Sequence, residues 1–343
     1  MSIASLPHLP GRLTVWRLVL ALSLAAPVAV ALTACGSGMH AASAAGTPAP
    51  TAHKTVLPGT GKPLVAIGDK NFTEQFVLGE LYSQALTAEG FSVILNRNIG
   101  PTDVTVQALE SGRLGMYPEY LDTWNTAVAG YRQSFPTSFR AYQAAQRYAL
   151  AHGLALMNPT PFSDVDAIAV SFNYASEHHL ASLSDLSKIA SPLTLGAAPQ
   201  FQQSPSGLPE IEQVYGFVPA AFKPLVVGQQ YQALDQGTVQ AADVNTTDAQ
   251  LLTGDYRLLQ DPSHAFGWGN VIPVVSLKVL EQEGPAFAST IDKVSALLTL
   301  PVMRQLNAAV DISGEDPAVV AKQFLMAHGL IPYGQGSSRP SGS

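Results

Sequence analysis

Two stretches of this chain are written alike. Gln107-Ala108-Leu109-Glu110-Ser111-Gly112-Arg113-Leu114 and Gln232-Ala233-Leu234-Asp235-Gln236-Gly237-Thr238-Val239 match residue class for residue class at one constant offset. Each reads as the last turns of a helix, a glycine just past its end and the first residues of a strand. A chain that uses this device twice is expected to build two α/β lobes of similar plan, each ending the same strand at a facing cleft. The offset puts Tyr120 and Asn245 at equivalent positions, one per lobe.

The rest of the pattern agrees with an α/β chain. Short apolar runs alternate with stretches of helical periodicity, which implies parallel or mixed sheets with helices on both faces. Strands are expected at Leu64–Ile67, Phe91–Leu95, Leu114–Tyr117, Leu154–Leu156, Asp166–Val170, Leu193–Ala197, Leu225–Val227, Val239–Val244, Arg257–Leu259 and Val271–Ser276. Helices are expected from Gln75 to Glu89, from Thr102 or Asp103 to Ser111, and from Ser138 to His152. Shorter ones follow at Ser184–Ile189, Leu208–Tyr215 and Gln229–Gln236, and the end of the chain is largely helical. Proline-bearing breaks at Pro159–Phe162 and Pro262–Trp268 are the expected hinges between the lobes.

The N-terminus carries a different signal. Arg12 and Arg17 precede an apolar run, Leu18–Leu32, followed by Leu32-Thr33-Ala34-Cys35-Gly36. A basic start, a short apolar segment and small residues at a cleavage point make a secretory signal. The only cysteine of 343 residues stands directly after Leu-Thr-Ala, as in a bacterial lipobox. Residues 1–35 are therefore expected to be a lipoprotein signal, with Cys35 lipidated. Residues 36–61 hold almost no large apolar side chain and are expected to be a flexible tether; the tail 334–343 has the same composition. With one cysteine there is no intramolecular disulfide, and stability must come from core burial. A net charge of -7 and the absence of a basic stripe argue against nucleic acid as a partner.

One stretch looks built to meet a ligand. Gly68-Asp69-Lys70-Asn71-Phe72-Thr73-Glu74-Gln75 leaves an apolar strand and enters a helix. Helix N-termini offer unpaired N–H groups, and strand ends form the crevice of open α/β sheets. Lys70 adds a cation and Phe72 an aromatic face; Asn71 or Thr73 would cap the helix.

Here the motifs resemble those of a known family. Lys70-Asn71-Phe72-Thr73-Glu74-Gln75, Tyr117-Pro118-Glu119-Tyr120, Tyr231-Gln232-Ala233-Leu234 and Thr246-Thr247-Asp248 look like the motifs of glycine betaine/choline-type solute-binding proteins of ABC importers. The resemblance spans about Leu64 to Leu330. It implies a type II periplasmic-binding-protein fold, with two α/β lobes and a ligand cleft between them. It assigns 62–162 and 265–333 to the first lobe and 163–264 to the second. It also implies no cofactor, capture of a small solute by cleft closure, and delivery to an ABC permease with its ATPase. With the lipobox, it implies a monomer anchored by lipid to the outer face of the cytoplasmic membrane.

Family members hold trimethylammonium groups in a box of tyrosines and the ligand carboxylate with a lysine, an arginine and a threonine. By resemblance, Tyr120 and Tyr231 keep two box positions, and Lys70 and Thr123 match two carboxylate holders. Asp166 and Asn245 stand where the box has tyrosines, Ser204 stands where the arginine is expected, and Leu121-Asp122-Thr123 replaces Thr-Gly-Thr. A quaternary amine held partly by charge, and a neutral hydroxylated ligand (a polyol, glycoside or polyphenol), both suit such a pocket.

Each residue also has a plain structural reading. Tyr120 would be a strand-end aromatic, Tyr231 a core residue of its helix, and Asp166 a local cap; Trp268, where the chain should cross back to the first lobe, would wall the cleft or be a packed hinge residue. An enzyme is not expected: there is no Gly-x-Ser-x-Gly elbow, no phosphate loop and no metal-ligand spacing around His178-His179. A sensory or adhesion module on the same fold is the remaining alternative.

Overall fold

The computed structural model describes residues 56–189 and 192–332. The secretory segment, Cys35, most of the expected tether and the tail from Gly334 lie outside the described residues.

Among the described residues, the strands are β1 (Leu64–Gly68), β2 (Ser92–Asn96), β3 (Met116–Tyr120), β4 (Leu154–Leu156), β5 (Asp166–Ser171), β6 (Thr194–Ala197), β7 (Ala221–Pro224), β8 (Ala241–Asn245), β9 (Tyr256–Leu258) and β10 (Val271–Ser276). They form two five-stranded sheets, in the orders β2-β1-β3-β10-β4 and β7-β6-β8-β5-β9. The two sheets follow one plan. Three parallel strands, with β1 or β6 in the middle, are joined by an antiparallel strand, β10 or β5, that lies between the third of them and a short edge strand.

The repeated octapeptide explains this likeness. β3 and β8 follow its two copies at the same offset, occupy the same place in their sheets, and end at Tyr120 and Asn245. Gly112 and Gly237 adopt left-handed conformations, φ 74° and 64°, that reverse the chain from helix to strand in each lobe.

Apolar residues cover both faces of each sheet. In the first lobe one cluster joins Val65, Ile67 and Val275 to the helix Thr73–Ala88 and the C-terminal helices; the other joins Tyr117, Ile272 and Val274 to Trp124 and the helix Ser138–Ala151. In the second lobe, Ile168, Val170 and Leu195 lie on one face and Ala167, Ala169 and Val244 on the other. This is the alternation expected of strands buried on both sides.

Two crossovers link the lobes, one from β4 to β5 and one from β9 to β10. They run side by side. Ser163 bridges Asn270 in antiparallel fashion, Asp164 N–H donates to Gly269 O at 3.0 Å, and Gly269 N–H donates to Ser163 Oγ at 2.9 Å. Asn270 Nδ2 donates to the carbonyls of Thr160 and Phe162. The expected hinges flank this paired section. The penultimate helix among the described residues, Leu300–Asp311, is in contact with both lobes: it packs on the helix Thr73–Ala88 and on the turn Ala249–Leu252.

Some elements differ from the sequence-based expectation. The strand expected at Leu225–Val227 lies just earlier, at Ala221–Pro224, paired with β6. Val226 and Val227 are largely exposed, so their apolar character reflects no buried strand. β3 runs on through Pro118 to Tyr120. Pro118 faces Pro273 across the ladder, a pairing in which neither backbone nitrogen has a proton to give. The first helix begins at Thr73 rather than Gln75; its N-cap is Phe72, with extended backbone and no side-chain capping bond, so neither Asn71 nor Thr73 caps it. After β3 the chain makes a short helix, Leu121–Thr123, continuing into a π-helical turn, Trp124–Val128. Gly59, expected within the tether, is buried, and its N–H donates to Glu89 O at 2.9 Å.

Candidate functional site

The first lobe brings Lys70, Phe72 and Tyr120 together. Phe72 and Tyr120 stack with ring centroids 6.0 Å apart and planes 27° from parallel. Lys70 Nζ lies 5.3 Å from the Tyr120 ring centroid and 6.0 Å from that of Phe72. Its main partner is Glu119, at 2.6 Å, and it also donates to Thr102 Oγ1 at 3.0 Å. Glu119 is fully buried and accepts further bonds from the Tyr120 N–H and the Tyr117 hydroxyl. The charge of Lys70 is thus compensated within the protein. Asn71 is exposed beside this group, and Thr123 is half-buried one residue past Asp122.

Tyr120 leads to a second network. Its hydroxyl donates to Glu74 Oε1 at 2.8 Å, and Asn307 Nδ2 donates to Glu74 Oε2 at 2.9 Å and to Thr247 O at 3.1 Å. Arg304, one helical turn from Asn307, donates to Thr246 O at 2.8 Å. Burial raises the Glu74 carboxyl, against hydrogen bonds from Asn307, Thr247 and Tyr120 that lower it. The network joins the helix after β1, the end of β3, the helix Leu300–Asp311 and the turn after β8.

The second lobe and the crossover add carboxyls. Asp166 opens β5 and faces Asn245, the last residue of β8, across the ladder. Side chains opposite each other in an antiparallel pair share a face, as do residues two apart, so Asp166, Asn245 and Asp243 lie on one side of the sheet. Burial holds Asp166 above the usual carboxylate range. Asp243 is pushed up to about 9 by burial, then by the charges of Asp166 and Asp248. Asp164 is raised well above its ordinary value by burial and then by Glu74, with Asp248 and Asp166 adding to it and Thr247 opposing. From the first lobe, Asp122 is raised to about 6 by burial and then by Asp166. The charge of Asp166 thus adds to the upward shift of Asp122, Asp164 and Asp243.

Tyr231 sits elsewhere on this lobe. It packs with Ala167, Ala169 and Val244, the face of the sheet opposite Asp166 and Asn245, and meets Tyr256 edge-on at 4.8 Å. Its hydroxyl donates to Asp248 Oδ2 at 2.9 Å, the oxygen that also accepts from Asn245 N–H at 3.2 Å. The link between Tyr231 and Asn245 therefore runs through Asp248, not through a shared aromatic wall. Ser204 bonds Ser206 side chain to side chain at 3.1 Å.

A cavity of about 590 Å³ opens between the lobes. Its walls include Asp122, Tyr131 and Phe135 from the first lobe, Ser206 from the second, and Phe266 and Trp268 from the crossover. Trp268, singled out from sequence, lines it; none of Lys70, Asn71, Phe72, Tyr120, Thr123, Asp166, Ser204, Tyr231 and Asn245 does, although neighbours of two of them do, Asp122 beside Thr123 and Ser206 near Ser204. Asp122 walls the cavity, and the charge of Asp166 reaches it from the second lobe. Trp268 Nε1 donates to Phe135 O at 2.9 Å and its ring lies on His264, fixing that wall.

Sequence reasoning missed Glu74 as more than a motif letter, and missed Asp164, Asp243, Arg304 and Asn307. Glu74 was visible inside Lys-Asn-Phe-Thr-Glu-Gln. Arg304 and Asn307 lie on an ordinary amphipathic helix with no local signal.

Residues 63–327 match the model of a family described as the substrate binding domain of ABC-type glycine betaine transport systems. The chain belongs to this family. It is 30% identical over 280 residues, 78% of this chain and 89% of the other, to a protein of Pseudomonas aeruginosa named as a glycine-betaine-binding protein. Among solved structures it is similar to apo YehZ from Escherichia coli, at TM-score 0.68 and 28% identity over 78% of this chain and 99% of that one. A structure titled as a glycine betaine/carnitine/choline ABC transporter gives TM-score 0.72 at 24% identity, covering 78% of this chain and 99% of that one, which shows the fold alone. The two-lobe α/β architecture is the type II periplasmic-binding-protein fold. As a family member the chain is a substrate-binding component of an ABC importer, acts outside the cytoplasm, and has a small molecule and a permease as partners.

Proposed function

We propose that this protein captures a small organic cation between its lobes, of the glycine betaine/choline kind for which its relatives are named, and presents it to its permease. The observation that carries the reading is the chemistry at the strand ends of the two lobes. Tyr120, stacked on Phe72, ends β3, and Asp166 and Asn245 stand opposite each other at the start of β5 and the end of β8. Aromatic faces and carboxyls both attract cations. Closure follows because a ligand that touches both lobes favours the state in which both can reach it. Residues 62–162 with 265–333, and 163–264, act as the two moving bodies, and the paired crossovers are the hinge.

Lys70, Asn71, Phe72, Tyr120, Thr123, Asp166, Ser204, Tyr231 and Asn245 are proposed to contribute to this site, Tyr231 through Asp248. The protein works as a monomer without catalytic activity, tethered through lipid on Cys35. The polar groups Asp166, Asn245 and Ser204 also favour a second reading, import of a neutral hydroxylated solute.

Isothermal calorimetry of the purified protein with glycine betaine, choline and carnitine, then with glycosides and polyphenols, tests both. Heat with the amines, weakened about fivefold or more in Tyr120→Ala, supports the cationic reading. Heat with the hydroxylated panel alone supports the second. Binding unchanged in Tyr120→Ala removes the proposed site.

A further inference from the structure

We infer that the cavity bounded by Asp122, Arg132 and Trp268 is a second small-molecule site, separate from the group at the strand ends, and that it takes an aromatic amino acid: a flat ring with a carboxylate and an unmethylated ammonium. This goes beyond the cation reading of the strand ends and does not rest on it.

Three parts of the fold build the cavity. The first lobe supplies Asp122, Asn125 and the loop that carries Tyr131 to Phe135; the second supplies Pro205, Ser206 and Glu210; the crossover supplies His264 to Trp268. Its volume of about 590 Å³ suits a molecule with a ring and is far more than a trimethylated glycine fills.

Its flat surfaces are fixed against one another. Tyr131 and Phe135 meet edge to face with ring centroids 5.7 Å apart, Trp268 Nε1 donates to Phe135 O at 2.9 Å, and the His264 ring lies 3.9 Å from that of Trp268. Yet Tyr131, Phe135 and Trp268 are each only half-buried. Aromatic rings held in place with part of their surface uncovered suit a flat partner with a polar end.

The wall also carries charges of both signs. Among the described residues Arg132, Asp122 and Glu210 belong to no ion pair; the pairs that form there are Lys70–Glu119, Arg97–Glu80 and Lys188–Asp185. Asp122 reaches the corner between its lobe and the crossover, where its Oδ1 would lie 3.1 Å from a Cβ on Gly267. A guanidinium such as that of Arg132 recognises a carboxylate through two parallel N–H bonds. Asp122 and Glu210 disfavour a ligand that is only an anion, and Arg132 disfavours one that is only a cation. A zwitterion satisfies both signs.

Asn125 specifies the nitrogen. It is 2% exposed, its Nδ2 donates to Ala141 O at 3.2 Å, and its Oδ1 is buried with no hydrogen-bond partner among the described residues. The bond to a carbonyl identifies which end of the amide is the donor, and so leaves Oδ1 as the acceptor. Asn125 lies on the π-helical turn Trp124–Val128, a kind of turn that is concentrated at functional sites. An unmet acceptor calls for an N–H, and a trimethylated nitrogen has none. The ligand's carboxylate is thus assigned to Arg132, its ammonium to Asn125 and Asp122, and its ring to Tyr131, Phe135 and Trp268, with Glu210 meeting it from the second lobe. A ligand touching both lobes favours the arrangement that brings them together.

The test is calorimetry of the purified protein with phenylalanine, tyrosine and tryptophan, then with three truncated probes: 3-phenylpropionate lacks the ammonium, 2-phenylethylamine the carboxylate and alanine the ring. The expected result is that at least one of the aromatic amino acids binds, and binds at least about tenfold more tightly than every truncated probe. Arg132→Gln and Glu210→Gln replace side chains at the protein surface; with folding checked by circular dichroism, Arg132→Gln should weaken that binding about tenfold or more and Glu210→Gln should weaken it less. The heat should persist in excess glycine betaine. Silence of all three amino acids overturns the inference, as does a truncated probe that binds as tightly as its parent. Binding unchanged in Arg132→Gln overturns the assignment to this cavity. Displacement by glycine betaine places both ligands in one pocket and overturns the second site, leaving the cation reading standing.

Discussion

Gly269 and Asp164 are in such close contact that the space for a side chain is already taken: a Cβ on Gly269 would lie 1.7 Å from the carbonyl oxygen of Asp164. The two residues are bonded where the crossovers pair, and Asp164 N–H donates to Gly269 O at 3.0 Å. The glycine is required here by proximity between two backbones, not by an unusual φ. Gly269→Ala must push the crossovers apart at the hinge. We expect a loss of more than about 2 kcal/mol in urea unfolding. A loss below about 0.5 kcal/mol would mean that the crossovers separate freely.

Lys70 and Glu119 make a buried ion pair, and the same carboxylate is bonded by the Tyr120 N–H and the Tyr117 hydroxyl. Removing one partner leaves a buried charge alone. Lys70→Met or Glu119→Gln should each destabilise by roughly 3–5 kcal/mol, and the double variant Lys70→Met/Glu119→Leu by less than the sum. A double-mutant cycle in urea measures the coupling; additive losses would show that the pair contributes nothing as a pair.

Asn307 reaches from the helix Leu300–Asp311 to both lobes, through Glu74 Oε2 and Thr247 O. Asn307→Ala strands two buried acceptors and should cost about 1–3 kcal/mol. The same variant should speed amide hydrogen exchange at the turn after β8, because that turn loses one of its fastenings. Unchanged exchange there would mean the bond to Thr247 carries no load.

Asp243 gives a pH prediction with a definite sign. An unfolded aspartate loses its proton near 3.8, whereas burial and the charges of Asp166 and Asp248 hold the folded one up to about 9. Between those values the folded state keeps a proton that the unfolded state has released, so this carboxyl's contribution falls as pH rises. The loss is at most about 1.4 kcal/mol per pH unit. Asp243→Asn should therefore match wild type near pH 4 and be the more stable protein at pH 8. Urea midpoints at both pH values check it; a constant difference would remove the titration.

How much was legible can be followed residue by residue. The matching octapeptides revealed that two lobes repeat a helix–glycine–strand unit, because the left-handed turn at Gly112 and Gly237 is a local requirement written in local residues. That Lys70-Asn71-Phe72 and Tyr120 follow strand ends was legible for a similar reason; that Lys70 and Tyr120 are themselves buried, Lys70 on Glu119 and Tyr120 in the first lobe's core, was not. The edge strand β7 was misplaced onto Val226 and Val227, since apolar character alone does not say whether a residue is covered. Pro118 concealed the end of β3, because only the partner strand shows that no ladder proton is needed there.

The sequence by itself determined what depends on neighbours in the chain: the alternation of strands and helices, the turns, the Lys-Asn-Phe-Thr-Glu-Gln loop and the family it belongs to. Tertiary structure decided what depends on charges and contacts far apart in the chain. It paired Lys70 with Glu119, turned Tyr231 to the far face of its sheet, brought Asn307 to Glu74, and set Asp166 opposite Asn245 on the face that also carries Asp243. Electrostatic and hydrogen-bond partnership act through space, and the chain order of these residues carries no record of it.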